Sequence, residues 1–165
     1  MSLELTEEQT LIQDTARRLV RKELEPVAAA NDQEEKFAAE FLEHLSGLGL
    51  MGITTPESYG GSNAGTVALS LVLQEIAHAC PATALVVSVT HLVAASLLAY
   101  GTKGQKDRFL RPVAAGQFLG AIAFTEPVGG SNPEILESIS TKRGDQYFTV
   151  LNIVTYHLWS MGYCP

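Results

Sequence analysis

Residues 82–100, ATALVVSVTHLVAASLLAY, contain no formally charged side chain, and no Lys or Arg occurs between Lys36 and Lys103. An apolar stretch of that length either crosses a membrane or forms a helix surrounded by other helices. Its many Ala, Ser and Thr residues, its His91 and the lack of Arg or Lys on its N-terminal flank favour the second. The segment is therefore expected to be a core helix of a bundle, with no membrane span. At 165 residues the chain suits one compact domain, or one domain with a stub of a second. Hydrophobic residues make up 46% and charged residues 18%, enough apolar material for a real core and too little charge for disorder.

The formal charge is −7, from 11 basic and 18 acidic side chains. Binding to nucleic acid needs clustered Lys and Arg to neutralise phosphates, so that class of partner is excluded. Cys80 and Cys164 lack the spacing of a zinc cluster and are too few for a disulfide framework. The N-terminus, MSLELTEE, is acidic and resembles neither a secretory signal nor an Arg-rich transit peptide, which makes the cytoplasm the expected location.

Thr6 with Gln9 three positions on forms a capping box, and Leu11, Ile12, Ala16, Leu19, Val20, Leu24 and Val27 follow at helical spacing. A second helix is expected from Asp32, with Glu35 at the capping-box offset and Phe37, Phe41, Leu42, Leu45 and Leu48 on its apolar side, closing at Gly47 and Gly49. The turn-rich segment MGITTPESYGGSNAG follows at 51–65. Val67, Ala68, Leu71, Val72, Ile76 and Ala79 then mark a third helix, stopped by Pro81. Thr102 and Gln105 cap a further helix, which Pro112 bends or restarts.

The texture changes at Phe118. FLGAIAFT is a short apolar run expected to form a buried strand. The loop EPVGGSNPE comes next, then Ile139–Lys142, the turn Arg143-Gly144-Asp145 and the β-rich run YFTVLNIVTY. In the loop, Gly129 and Gly130 stand between the hydroxyls of Thr125 and Ser131. Glycines let backbone N–H groups approach an anion, and hydroxyls add donors. The pattern is neither a Walker loop nor GxGxxG, so the residues alone leave an anion or cofactor loop and an ordinary β-turn both open.

Several segments, taken in order, resemble the N-terminal part of the acyl-CoA dehydrogenase family. They are Leu5-Thr6-Glu7-Glu8-Gln9, Gly49-Leu50-Met51-Gly52-Ile53, Pro56-Glu57-Ser58-Tyr59-Gly60-Gly61, Gly101-Thr102 with Gln105-Lys106, Leu110 and Gly116, and Phe124-Thr125-Glu126-Pro127 with Gly130-Ser131. The resemblance implies a mainly α fold. An N-terminal helical domain would span 1–117, and 118–165 would be an incomplete middle β-domain with a partial sheet near 118–156. It implies FAD-dependent oxidation of acyl-CoA thioesters to 2,3-enoyl-CoA, by removal of the α-proton and passage of hydride from the β-carbon to flavin.

Carried over residue by residue, the resemblance puts Ile122, Ala123, Phe124 and Thr125 along the flavin and Gly130 and Ser131 near its pyrophosphate, with Ser131 also near the acyl-CoA. The PESYGG segment is expected to be structural. His91 falls on a helix that lines the family's acyl cavity, where a hydrogen-bonded core histidine is preferred to a functional one. Electron-transfer flavoprotein is the implied acceptor, and the intact enzyme is expected to be a homo-oligomer.

Departures limit the transfer. Asn132 stands where the family usually has Asp, and the run after Leu151-Asn152 leaves the family pattern, so Trp159 takes no flavin role. The family's catalytic carboxylate belongs to a C-terminal bundle not represented in these residues, and Glu126 is a poor substitute because base and flavin must flank the substrate. The sequence thus resembles a truncated dehydrogenase expected to lack turnover. Two alternatives remain: a non-catalytic helical interaction module or remnant, and another flavin oxidase or monooxygenase on the same scaffold.

Overall fold

The computed structural model describes residues 4–122 and 125–150. The chain falls into two compact units, Met1–Gly120 and Ala121–Pro165. The first is helical. It opens on the expected capping box: Thr6 Oγ1 accepts from Gln9 N and Gln9 Oε1 accepts from Thr6 N, both at 3.1 Å. Helix α1, Glu7–Leu19, then runs through a π-helical turn, Val20–Leu24, into α2, Glu25–Gln33.

The π turn has a local cause and a packing consequence. Pro26 lies two residues beyond it, and a second π turn, Lys106–Leu110, likewise precedes Pro112 by two. Proline lacks the N–H for the next helical bond, and its ring crowds the carbonyl four residues earlier. The wider turn takes up that crowding without ending the helix. It also keeps Ala16, Val20 and Leu24, spaced by four, on one buried stripe, although such steps drift by about 40° in a regular α-helix. Leu11 and Val27, expected on that stripe, are 62% and 42% exposed.

No helix starts at Asp32, contrary to expectation. Asp32 and Glu35 instead belong to the end of α2. Lys36 N donates to Asn31 O at 2.8 Å and Glu35 N to Asp32 O at 3.3 Å, and Glu35 has φ 53°. This is the Schellman arrangement, whose left-handed position normally holds glycine. A Ser/Thr/Asp/Asn–Glu spacing signals an N-cap only where the preceding backbone is extended, and here it is already helical. Glu35→Gly should therefore stabilise the helical unit by about 0.5–1 kcal/mol, because a left-handed L-residue costs about that or more. A denaturation midpoint equal to or below that of the unsubstituted chain would contradict the assignment.

Helix α3, Ala39–Gly47, buries Phe41, Leu42 and Leu45, while Leu48 is half exposed. The turn segment forms 3-10 turns at Leu50–Gly52 and Glu57–Tyr59 and folds back on itself. Ser62 N reaches Gly52 O, Asn63 N reaches Thr55 O, and Ala64 N reaches Ile53 O, at 3.1, 3.0 and 2.8 Å. Helix α4, Gly65–Ala79, packs between α1 and α5, burying Ala68, Val72 and Ile76. Helix α5, Pro81–Tyr100, starts with proline in its first turn, where no N–H is needed.

Helix α5 is long and apolar enough to cross a membrane by length and composition, but one stripe of it enters the core of the helical unit. That stripe is Thr83, Ala84, Val87, Thr90, His91 and Ala94. Leu85 and Leu92, on another side, are more than half exposed. The expectation of a helix enclosed all round is thus met on one face only. The Thr102–Gln105 capping box opens α6, Lys103–Gln105, and the helical path continues through the second π turn into α7, Arg111–Ala114.

No strand forms over 118–122, where one was expected. Phe118, Leu119 and Ile122 are 37–40% exposed. A strand exists only through its neighbour's N–H and C=O groups; among the described residues Gly120 N donates instead to the Thr90 hydroxyl, at 3.1 Å. Within Ala121–Pro165, strands β1, Ile139–Arg143, and β2, Gln146–Val150, pair antiparallel with Arg143 opposite Gln146. The two-residue turn has Gly144 at φ 62° in its first position, where hairpin turns require a positive angle. The rest of the expected β-rich run, from Leu151, lies outside the described residues.

Candidate functional site

The loop after residue 122 is built from its own backbone. Glu126 and Gly129 exchange two hydrogen bonds, N to O at 3.0 and 3.1 Å, around Pro127-Val128. Asn132 Oδ1 accepts from Glu134 N at 3.1 Å and so sets up the 3-10 turn Pro133–Ile135. A carboxylate could accept the same bond, so asparagine in place of the family's usual aspartate leaves this turn intact.

Two glycines lie close to neighbouring side chains. A Cβ on Gly129 would lie 2.5 Å from Ile135 Cδ1, and one on Gly130 would lie 3.1 Å from Thr125 Cγ2 and 3.4 Å from Thr125 Oγ1. Thr125 and Gly130, singled out from sequence, are thus brought into contact. Ser131 follows directly and is exposed. Ile122 is 37% exposed, and Ala123 and Phe124 lie outside the described residues. Among the described residues no hydrogen bond occupies the N–H of Gly130 or Ser131. A hydroxyl, two amides without a bond among the described residues and a glycine with little room for a side chain suit an anionic or carbonyl-bearing group. Flavin pyrophosphate or a flavin ring edge fits this donor set.

Glu126 is 4% exposed, and both carboxylate oxygens are engaged. Glu137 N donates to Oε2 at 2.6 Å and Ser138 N to Oε1 at 3.0 Å. The Ser138 hydroxyl, then the Glu137 amide, hold its pKa below the ordinary carboxylate value. With both oxygens turned onto its own backbone, this carboxylate is poorly placed to take a proton from carbon.

His91 is 3% exposed. Its Nδ1 lies 2.9 Å from Val87 O, which only accepts, so Nδ1 carries the proton and Nε2 is a bare acceptor without a described partner. Burial pushes its pKa down, so the ring is neutral near pH 7.

A different cleft, of about 340 Å³, opens between α1–α2 and α4, lined by Arg17, Val20, Arg21, Glu25, Gln74, Glu75 and His78. Its charges answer each other. Arg17 Nε and Nη2 donate to the two oxygens of Glu75 at 3.1 and 2.8 Å, Gln13 Nε2 donates to Glu75 at 3.0 Å, and Arg17 Nη1 reaches Asp14 at 2.9 Å. The Arg17 hydrogen bond holds Glu75 below its usual pKa against the opposing effect of desolvation. This clamp joins helices 58 residues apart in sequence, and no local pattern announces it.

The family model for the acyl-CoA dehydrogenase N-terminal domain matches residues 6–117. The chain is 31% identical over 148 residues to the short-chain specific acyl-CoA dehydrogenase of Clostridium acetobutylicum, covering 89% of this chain and 39% of that one. Among solved structures, the butyryl-CoA dehydrogenase of Megasphaera elsdenii matches with TM-score 0.80 and 31% identity, over 88% of this chain and 39% of that one. A chain in a structure described as the electron transferring flavoprotein of Acidaminococcus fermentans matches with TM-score 0.85 and 28% identity, over 90% and 40%. The chain spans about two fifths of the length of the curated relatives it matches. It belongs to the acyl-CoA dehydrogenase family, of which it carries the N-terminal domain.

Proposed function

We propose that these residues are the N-terminal part of an FAD-dependent enzyme that oxidises acyl-CoA thioesters to 2,3-enoyl-CoA, and that they do not turn over substrate alone. The observation that carries this reading is the family match across residues 6–117, continued at 31% identity over 148 residues of a short-chain specific dehydrogenase. FAD, when bound, supplies the acceptor for the two electrons that leave the thioester. The contribution of this chain is to bind and orient. Thr125 offers a hydroxyl, the Gly130 and Ser131 amides offer N–H donors, and the bare glycine lets a ligand come close. Oriented donors of this kind stabilise charge that grows on a bound ring or sits on a phosphate.

Ser131 is the proposed contact to acyl-CoA. The proton-abstracting carboxylate is proposed to lie in sequence corresponding to the remaining three fifths of the relatives. Electron-transfer flavoprotein is the proposed acceptor and the cytoplasm the proposed location, with a homo-oligomer as the complete enzyme.

The chain is expected to perturb the visible spectrum of added FAD saturably, and Gly130→Val, which fills the space facing Thr125, is expected to abolish that perturbation. It is expected to reduce no artificial acceptor with acyl-CoAs of any chain length. An unperturbed flavin spectrum overturns the assignment of the loop. Turnover by the pure chain overturns the division of labour.

A further inference from the structure

The buried carboxylate of Glu126 has no task in the proposed chemistry, yet it is the most completely hydrogen-bonded acid among the described residues of Ala121–Pro165. Its two backbone partners lie 11 and 12 positions on, at the residues that lead into β1. It therefore closes residues 126–138 into a ring. Inside that ring are Gly129 and Gly130, which lose more conformational freedom on ordering than any other residue type. The ring contains one pairing of its own backbone across Pro127-Val128 and one turn at Pro133–Ile135. Neither connects the start of the loop to the hairpin. Glu126 does.

We propose that Glu126 is the positioning residue of this loop: by bonding the Glu137 and Ser138 amides it holds Gly130 close to Thr125, with the N–H groups of Gly130 and Ser131 presented to the ligand. The proposal rests on the flavin reading for the identity of that ligand. Glutamine is a poor replacement. One of its two terminal atoms is an NH2 group, which would face a backbone N–H that only donates. The lost acceptor leaves a buried donor unpaired. Aspartate keeps both oxygens on a stem one carbon shorter and should recover part of the function.

The test compares amide hydrogen exchange in the 165-residue chain with that in Glu126→Gln and Glu126→Asp, and titrates each with FAD. In Glu126→Gln, exchange at Glu137, Ser138 and Gly129 is expected to quicken at least tenfold, while Val72 and Ile76 in the helical unit keep their rates. Apparent FAD affinity should fall at least tenfold, with Glu126→Asp between the two. Quickened exchange confined to Glu137 and Ser138, or unchanged FAD affinity in Glu126→Gln, overturns the positioning role. Should Glu126→Gln not fold, Ser138→Ala, which removes just the hydroxyl partner, is expected to quicken the same amides severalfold, and no change there also overturns it. If the unsubstituted chain leaves FAD unperturbed, the flavin reading falls, while the exchange pattern still decides separately whether Glu126 orders the loop.

Discussion

Gly61→Ala is expected to cost about 4 kcal/mol or more, in the range reserved for substitutions with a specific structural cause. A Cβ at this position would lie 2.0 Å from Thr55 O, 2.4 Å from Gly52 O and 2.6 Å from Thr55 C. All three are backbone atoms, and the hydrogen bonds from Ser62, Asn63 and Ala64 hold the two strands of the fold-back together at that point. No side-chain rotation can make room, so the bonds must break or the turn must open. The neighbouring Gly60 provides the control. It has φ 87° and open space around its Cβ position, so Gly60→Ala pays only the left-handed penalty of about 1–2 kcal/mol. Equilibrium denaturation of both variants decides the matter: a loss in Gly61→Ala no larger than in Gly60→Ala would refute the close-approach argument.

Ile76→Ala should remove about 3 kcal/mol from the helical unit. Ile76 is fully buried on α4, in the cluster that joins α4 to Ala16, Val20 and Leu24 of the first helical segment and to Val87 of α5. Truncation loses the transfer free energy of three carbons and leaves a cavity, together typically about 2–5 kcal/mol, whereas Ile→Val costs about 0.5–1.5. With a urea dependence of about 2 kcal/mol per molar, the midpoint should fall by about 1.5 M. Val67 lies on the same helix and belongs to the same apolar series in sequence, but it is 52% exposed. Val67→Ala should stay within about 0.5 kcal/mol of the unsubstituted chain. Equal losses at 67 and 76 would mean that the helix packs on a different face.

The features legible in the sequence are those whose physics is local. Both Thr–Gln capping boxes form as expected, because the donors and acceptors lie within three residues of each other. Pro81 marks the break between α4 and α5, and Gly144 the hairpin turn. In the candidate loop, the pairing of hydroxyls with glycines was visible, and the structure brings Thr125 to Gly130. The errors share a physical cause. Asp32–Glu35 had the right spacing for a helix start but sat in backbone that was already helical. FLGAIAFT had strand composition, but over 118–122 no pairing partner appears among the described residues.

The Glu126 ring was hidden for a further reason. The two bonds that close it come from backbone amides, which every residue but proline carries, so side-chain identity could not point to them. By itself the sequence determined the two Thr–Gln caps, the break at Pro81 and the turn at Gly144, and which family the ordered motifs belong to. Only the tertiary structure decided which apolar stripe is buried, how Arg17 finds Glu75, and that Glu126 is spent on its own loop. The first set depends on groups a few residues apart. The second depends on groups whose separation in sequence says nothing of their separation in space.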